Sequence, residues 1–186
     1  MFPKEIKLPL DFTILRELRA GDLVRLSGPL LSGRDAAHLR LINALKEGKP
    51  LPVNLAGETI YYVGPCPTPP GRVIGSAGPT TSGRMDSYTP ALLELGLKGM
   101  IGKGHRSPEV ISAMIKFKAV YFAGLGGAGA LIARSIKKAE IIAYPDLGPE
   151  AIYRMEVQDL PLIVAIDICG NDLYQKGRSE YCQKAL

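Results

Sequence analysis

The chain has 186 residues, so a span of roughly 150 residues per domain predicts a single domain over 1–186. Hydrophobic residues make up 46% and charged residues 22%, which excludes wholesale disorder. Tryptophan is absent and aromatics are 6%, which argues against a binder that stacks single-stranded nucleic acid. The net charge of +5 reads either as a soluble surface with a small excess of lysine or as a field that draws in anions, and the basic residues are scattered and form no tail for nucleic acid.

No apolar run approaches the ~18 residues of a membrane span. The segment MFPKEIKLPLDF has no uninterrupted apolar core and does not read as a signal peptide. Cys66, Cys169 and Cys182 are odd in number and widely spaced, so they predict neither a disulfide framework nor a metal site, and they place the chain in a reducing cytoplasm.

Taken in chain order, residues 4–10 predict an extended edge segment. A short helix over 13–19 opens after Asp11 as a cap, and 22–28 alternates as a strand. Ala37, Leu41, Ile42 and Leu45 fall at helical spacing and predict a helix over 35–46. Strands are predicted at 58–65 and 73–77, separated by a rigid proline loop. A helix follows at 86–97, with Pro90 in its first turn, then a strand at 98–104. Ser107 caps a helix over 107–118, and 119–124 is a strand. Helices are predicted over 130–139 and 148–157 around a strand and turn at 140–148, and a final strand runs over 161–174. The tail over 175–186 is polar and shows no preference. Alternating strands and helices predict an α/β fold with a partly parallel sheet.

Three glycine-flanked loops carry chemistry. Each lies where a strand gives way to a helix, the place where open α/β sheets gather ligands. In SGPLLSGRDAAH (27–38), the planar fork of Arg34 suits a carboxylate, or Asp35 simply caps the helix and Arg34 is solvated. In GPTTSGRMDS (78–87), hydroxyls and backbone N–H groups surround Arg84 and suit an oxyanion, or the turn needs small residues and Asp86 or Ser87 caps the next helix. In GKGHRSP (102–108), Lys103 lies between glycines, which open its backbone to a ligand but weaken any claim to rigidity.

GLGGAG (124–129) matches the dinucleotide pattern, with Asp146 at ribose distance. It falls late for that fold, and glycines for close packing are the plainer reading. His38 reads as a satisfied, partly buried residue, and Cys66 as a small hydrophobe. Asp146, Glu150, Glu156 and Asp159 read as a solvated helix face.

Together, SG-x5-RDAAH, GPTTSGRMDSY, GKGHRS and AYPDLGPEAIYRMEV resemble the C-terminal domain of class I (iron–sulfur) fumarases, in many organisms a separate β subunit; L-tartrate dehydratase β subunits look similar. The resemblance runs from about residue 10 to 174. It implies an α/β swivelling β/β/α domain, with a mixed sheet and flanking helices. It implies reversible hydration of fumarate to (S)-malate, with L-tartrate as the alternative substrate. It also implies a cluster-bearing α subunit as partner in a hetero-oligomer, with homo-oligomers open for the isolated chain. The 4Fe–4S cluster would be carried by that partner, with none bound by this chain. By the same resemblance Arg34 and Arg84 clamp substrate carboxylates. Thr80 stands beside the carbon that loses its proton, and Lys103 is a further substrate contact. A threonine hydroxyl is a weak base unless cations stabilise its alkoxide. Lys103 and Arg84 are candidates for that role. A base on the partner, with Thr80 orienting, is the alternative. His105 stands where the family commonly has Asn and receives no role.

Overall fold

The structure is a computed structural model that describes residues 2–183. Its strands are β1 (Lys4–Lys7), β2 (Leu23–Ser32), β3 (Thr59–Tyr61), β4 (Gly99–Gly102), β5 (Val120–Ala123), β6 (Ile136–Ala143) and β7 (Ile152–Ile166). They form one mixed sheet in the order β1-β2-β3-β4-β5-β7-β6. Neighbours from β1 to β5 run parallel, and β7 runs antiparallel to β5 and β6. An additional antiparallel pairing of β2 with β7 closes β2, β3, β4, β5 and β7 into a ring.

Burial follows from that closure. Tyr61, Ile101, Val120 and Phe122 belong to one apolar cluster, which they share with Leu26, Leu30, Met155 and Val164 of β2 and β7. Their chain neighbours Ile60, Tyr62, Met100 and Tyr121 belong to a second cluster. Successive side chains of a strand point to opposite faces, so β3, β4 and β5 are buried on both. The second cluster also holds Ala37 and Leu41 of α2 (Asp35–Lys46), Leu92 and Leu93 of α3 (Thr89–Glu94), and Val110 and Met114 of α4 (Pro108–Phe117). The flanking helices therefore cover the sheet that a mixed α/β fold requires.

Local signals place several elements as the residues predict. Asp11 Oδ1 accepts the Ile14 N–H and caps α1, which is only Phe12–Leu15. Ser107 Oγ accepts from Val110 N and caps α4, with Pro108 in the first turn. Helix α2 has the predicted bounds, but its cap differs. Arg34 occupies the N-cap position without a side-chain bond, and the Ala36 N–H is taken by the Glu150 carboxylate.

Other expectations fail, and tertiary pairing accounts for most of them. The predicted helix over 130–139 is one turn, α5 (Gly129–Ile132), a short 3-10 turn and then β6. Lys and Ala there favour helix, but antiparallel pairing to β7 supplies the backbone bonds. Of the predicted helix over 148–157, residues 148–150 end a 3-10 turn and 152–157 open β7. Ile152, Met155 and Val157 are buried while Arg154 and Glu156 are exposed, a pattern that suits a strand carrying a register shift. Residues 73–77 form no strand, and the polar tail carries α6 (Leu173–Gln183).

Gly28 fixes the bend of β2. It lies at a register shift against β7, at φ +122°, and a Cβ there would approach the Leu8 carbonyl oxygen to 3.0 Å. Replacing Gly28 with Ala should lower unfolding stability by about 2 kcal/mol, read as a reduced urea midpoint at unchanged slope. An unchanged midpoint would contradict this account of the bend.

Candidate active site

The parallel strands β2 to β5 all end at one edge of the ring, and the loops leaving them are laced together there. Gly33 N donates to Tyr61 O (3.1 Å), and Thr80 N to Tyr62 O (2.7 Å). Lys103 N donates to Thr80 O (3.1 Å), Ser82 N to Lys103 O (2.9 Å), and Gly124 N to Gly102 O (2.8 Å). A row of main-chain bonds therefore joins the loop that carries Thr80 to the loop that carries Lys103. Thr80 is partly buried, whereas Lys103 and Arg84 are exposed.

Arg84 ties the second loop to the first. Its Nε donates to Asp35 Oδ1 (2.9 Å), and its Nη2 lies 2.8 Å from Asp35 Oδ2. This carboxylate occupies one edge of the guanidinium, and the Nη1 end remains for another acceptor. Arg34 lies across Gly64, where a Cβ would come within 2.5 Å of Nη1. Its Nη2 is 3.6 Å from Glu150 Oε1, and its Nε is buried with no hydrogen-bond partner. Both arginines are thus held by carboxylates that leave N–H donors unused. Glu150 and Asp146, read from sequence as a solvated helix face, instead bind Arg34 and Arg40, and Glu156 and Asp159 lie on β7.

Beneath these loops lies a buried ion pair that the sequence reading missed. Arg106 is 5% exposed. Its Nε donates to Asp86 Oδ1 (2.7 Å) and its Nη2 to Thr89 Oγ1 (2.8 Å), and its guanidinium lies over the rings of Tyr62 and Tyr121. Asp86 also accepts the Ser107 N–H (2.6 Å). Asp86 is therefore no helix cap; it binds the second loop to the third. In the sequence Asp86 and Arg106 are simply further charged residues of the second and third loops, with no spacing that pairs them.

His38 is 1% exposed. Its Nδ1 is 2.8 Å from the Arg34 carbonyl oxygen, and its Nε2 has no partner. Desolvation pushes its pKa down to about 4, reinforced by the Arg106 charge and opposed by the Arg34 carbonyl and Asp35.

The glycine-rich turn is accounted for by packing. A Cβ on Gly129 would stand 2.5 Å from Ser76 Oγ and 2.9 Å from Gly78 N, and one on Gly124 would stand 3.3 Å from Pro79. Ala77 N donates to Gly129 O (3.0 Å), so the turn braces the segment leading into Thr80. Asp146, at ribose distance in the sequence, is engaged by Arg40. His105 stacks against Tyr174 (4.8 Å between centroids).

The cysteines do not fit an iron–sulfur cluster. Cys66, Cys169 and Cys182 are exposed on separate segments. Among the described residues no three His, Cys, Asp or Glu side chains converge to hold a metal ion.

Fold and edge together define an α/β protein whose cationic loops converge at the carboxyl ends of parallel strands. The family model described as "Fumarase C-terminus" matches residues 4–177, and the chain belongs to that family. It is similar to "Fumarate hydratase class I, aerobic" of Salmonella typhimurium, with 43% identity over 87% of this chain and 28% of that protein. It is similar to "Fumarate hydratase class I, anaerobic" of Escherichia coli, with 43% identity over 84% of this chain and 29% of that protein. It is also similar to "L(+)-tartrate dehydratase subunit beta" of Escherichia coli, with 34% identity over 97% of this chain and 91% of that subunit. The chain therefore spans under a third of these fumarate hydratases and about nine-tenths of the tartrate dehydratase subunit.

Two outcomes follow from the buried groups. Asp86→Ala would leave Arg106 buried and unpaired, so urea unfolding should show a loss of about 3 kcal/mol. A loss below about 1 kcal/mol would mean that the pair does not join the loops. His38 is buried neutral, so as pH falls the unfolded chain takes the proton first. Its contribution is complete above pH 6.5, its unfolded value, and is lost towards pH 4. Stability should fall by about 3 kcal/mol across that window, and a His38→Phe chain should lack this component.

Proposed function

We propose that this chain is the β subunit of a two-subunit hydro-lyase that reversibly hydrates fumarate to (S)-malate. The observation that carries the reading is the laced edge itself: Thr80 and Lys103 share main-chain hydrogen bonds, and Asp35 ties Arg84 to the loop of Arg34. A four-carbon dicarboxylate needs two anion clamps, and Arg34 and Arg84 each keep unused N–H donors.

In the dehydration direction, a proton leaves the carbon next to one carboxylate and hydroxide leaves the neighbouring carbon. Charge develops in the carboxylate as the proton departs, and a guanidinium already in place stabilises it without reorganisation. Thr80 stands at the centre of the edge as the proton-handling hydroxyl, with Lys103 and Arg84 supplying positive charge. The other arrangement has a base on the partner, with Thr80 orienting it.

A partner is part of the reading. Lys103 and Arg84 are exposed, and concavities of about 450 Å³ beside the proline loop and about 480 Å³ beside Asp167 are lined by other residues. An edge this open needs a second surface to exclude water. The reading assigns the 4Fe–4S cluster to that partner, an α subunit, and the spread of the three exposed cysteines over separate segments supports it. The similarity to a protein named as a tartrate dehydratase β subunit supports a subunit partner, while the higher identity to fumarate hydratases favours fumarate over L-tartrate. A cytoplasmic location suits the three free cysteines, and no described helix is long and apolar enough to cross a membrane.

The chain, purified anaerobically with its partner, should hydrate fumarate faster than it dehydrates L-tartrate. Arg34→Ala and Arg84→Ala should each lower kcat/KM by about 100-fold or more, and Thr80→Val should lower kcat by about 1000-fold. Variants as active as the parent would refute the assignment of this edge, and a reversed substrate preference would select the tartrate reading.

A further inference from the structure

Outside the clamps and the proton-handling hydroxyl, the buried His38 touches the edge at Arg34. His38 sits one turn into α2, and the Arg34 carbonyl receives two donors from it. The His38 main-chain N–H donates at 2.9 Å, as the first helical bond, and Nδ1 lies at 2.8 Å. A carbonyl oxygen has two lone pairs, so both are used. This contact assigns the tautomer: Nδ1 carries the proton, because a lone pair there would face the carbonyl lone pairs. Nε2 is then a bare acceptor, and it is the atom left without a partner.

The neighbours fix the ring. Tyr62 meets it edge-on at 5.4 Å between centroids, and Tyr88 lies at 6.2 Å. A Cβ on Gly33 would touch the ring carbon between the nitrogens at 3.3 Å. The ring therefore has little room to turn. The peptide it holds belongs to Arg34, whose backbone is extended (φ −127°, ψ −162°) before the helix begins. That conformation directs the Arg34 side chain over Gly64 towards Glu150. The Arg34 side chain makes no cap bond to fix this turn itself.

We infer that His38 is a positioning residue for substrate binding: its Nδ1–H locks the Arg34 peptide and so aims the guanidinium at a substrate carboxylate. The inference rests on Arg34 acting as a carboxylate clamp. A clamp that grips the substrate and the transition state alike acts on KM, so misplacing it raises KM and leaves kcat nearly unchanged.

Three variants of the assembled enzyme test this. His38→Leu keeps apolar bulk and deletes the donor. His38→Asn keeps a donor near the Nδ1 position, and Arg34→Ala is the reference. His38→Leu should raise the KM for fumarate about tenfold with kcat within about threefold, and His38→Asn should recover most of the loss. If Arg34→Ala impairs binding while His38→Leu keeps the parent KM, the positioning role is overturned and the clamp stands. If Arg34→Ala itself leaves KM unchanged, the clamp reading falls and this inference falls with it. Should His38→Leu fail to fold, the parent chain decides. It has two histidines, so nitrogen-15 spectra of the full chain resolve both rings. One ring should remain the neutral Nδ1–H tautomer down to pH 5. An Nε2–H tautomer at His38 would overturn the assignment.

Discussion

The antiparallel pairing of β2 with β7 is the contact on which the remaining architecture depends. It runs from Leu23 opposite Ile163 to Leu31 opposite Arg154, and it joins segments more than 120 residues apart. It closes the ring, gives Leu26, Leu30 and Val164 an interior to fill, and removes two sheet edges that would otherwise lie unpaired. The same register also builds chemistry. β2 runs into Arg34, and β7 begins just after Glu150. Pairing Leu31 with Arg154 therefore brings the Glu150 carboxylate onto the Ala36 N–H and beside the Arg34 guanidinium. Ser32 adds to this junction, donating to Ala151 O and accepting from Tyr153 N.

The arginines divide by what surrounds them. Arg106 is enclosed by a carboxylate, a hydroxyl and two aromatic faces, and it is the strut between two loops. A buried charge so fully partnered has nothing left to offer a ligand. Arg34 and Arg84 are the reverse case. Arg84 is held along one edge by Asp35, and Arg34 lies between Glu150 and Asp35; each keeps solvent access, and each has N–H groups without protein acceptors. In the proposed anion clamp, the carboxylates Asp35 and Glu150 limit the freedom the long side chains would lose on binding.

How far the sequence discloses this follows from the range of each interaction. The bounds of α2 and the Ser107 cap were legible because spacing and capping act within one turn. The partly parallel sheet was legible from alternating elements. β6 was not, because Ile136–Ala143 carries helix-forming Lys, Ala and Glu and is a strand only through its partner. The first half of β7 reads as a helix although its near-alternation stands in the sequence, because its strand form depends on pairing with β2 and β6. The four candidate residues rest on their loops and on the family resemblance. Asp86 with Arg106, and Glu150 with Arg34, pair across 20 and 116 residues, and no spacing rule reaches that far.

Lys103 shows how a glycine-flanked residue acquires a fixed position. Glycine on both sides suggests a loose loop, yet the main chain around Lys103 is bonded on both sides. Lys103 itself donates to Thr80 O and accepts from Ser82 N. Gly104 N donates to Tyr174 Oη (3.1 Å), and Gly104 O accepts from Tyr121 Oη (2.9 Å), which in turn takes a bond from Ser82 Oγ. Helix α6 thereby reaches back to the edge through Tyr174, and β5 through Tyr121. The glycines leave room for these contacts without side chains of their own, so the Lys103 backbone is held while its ammonium stays in solvent. A cation arranged in this way stays hydrated, and its desolvation cost arises only when a ligand and a covering surface arrive together.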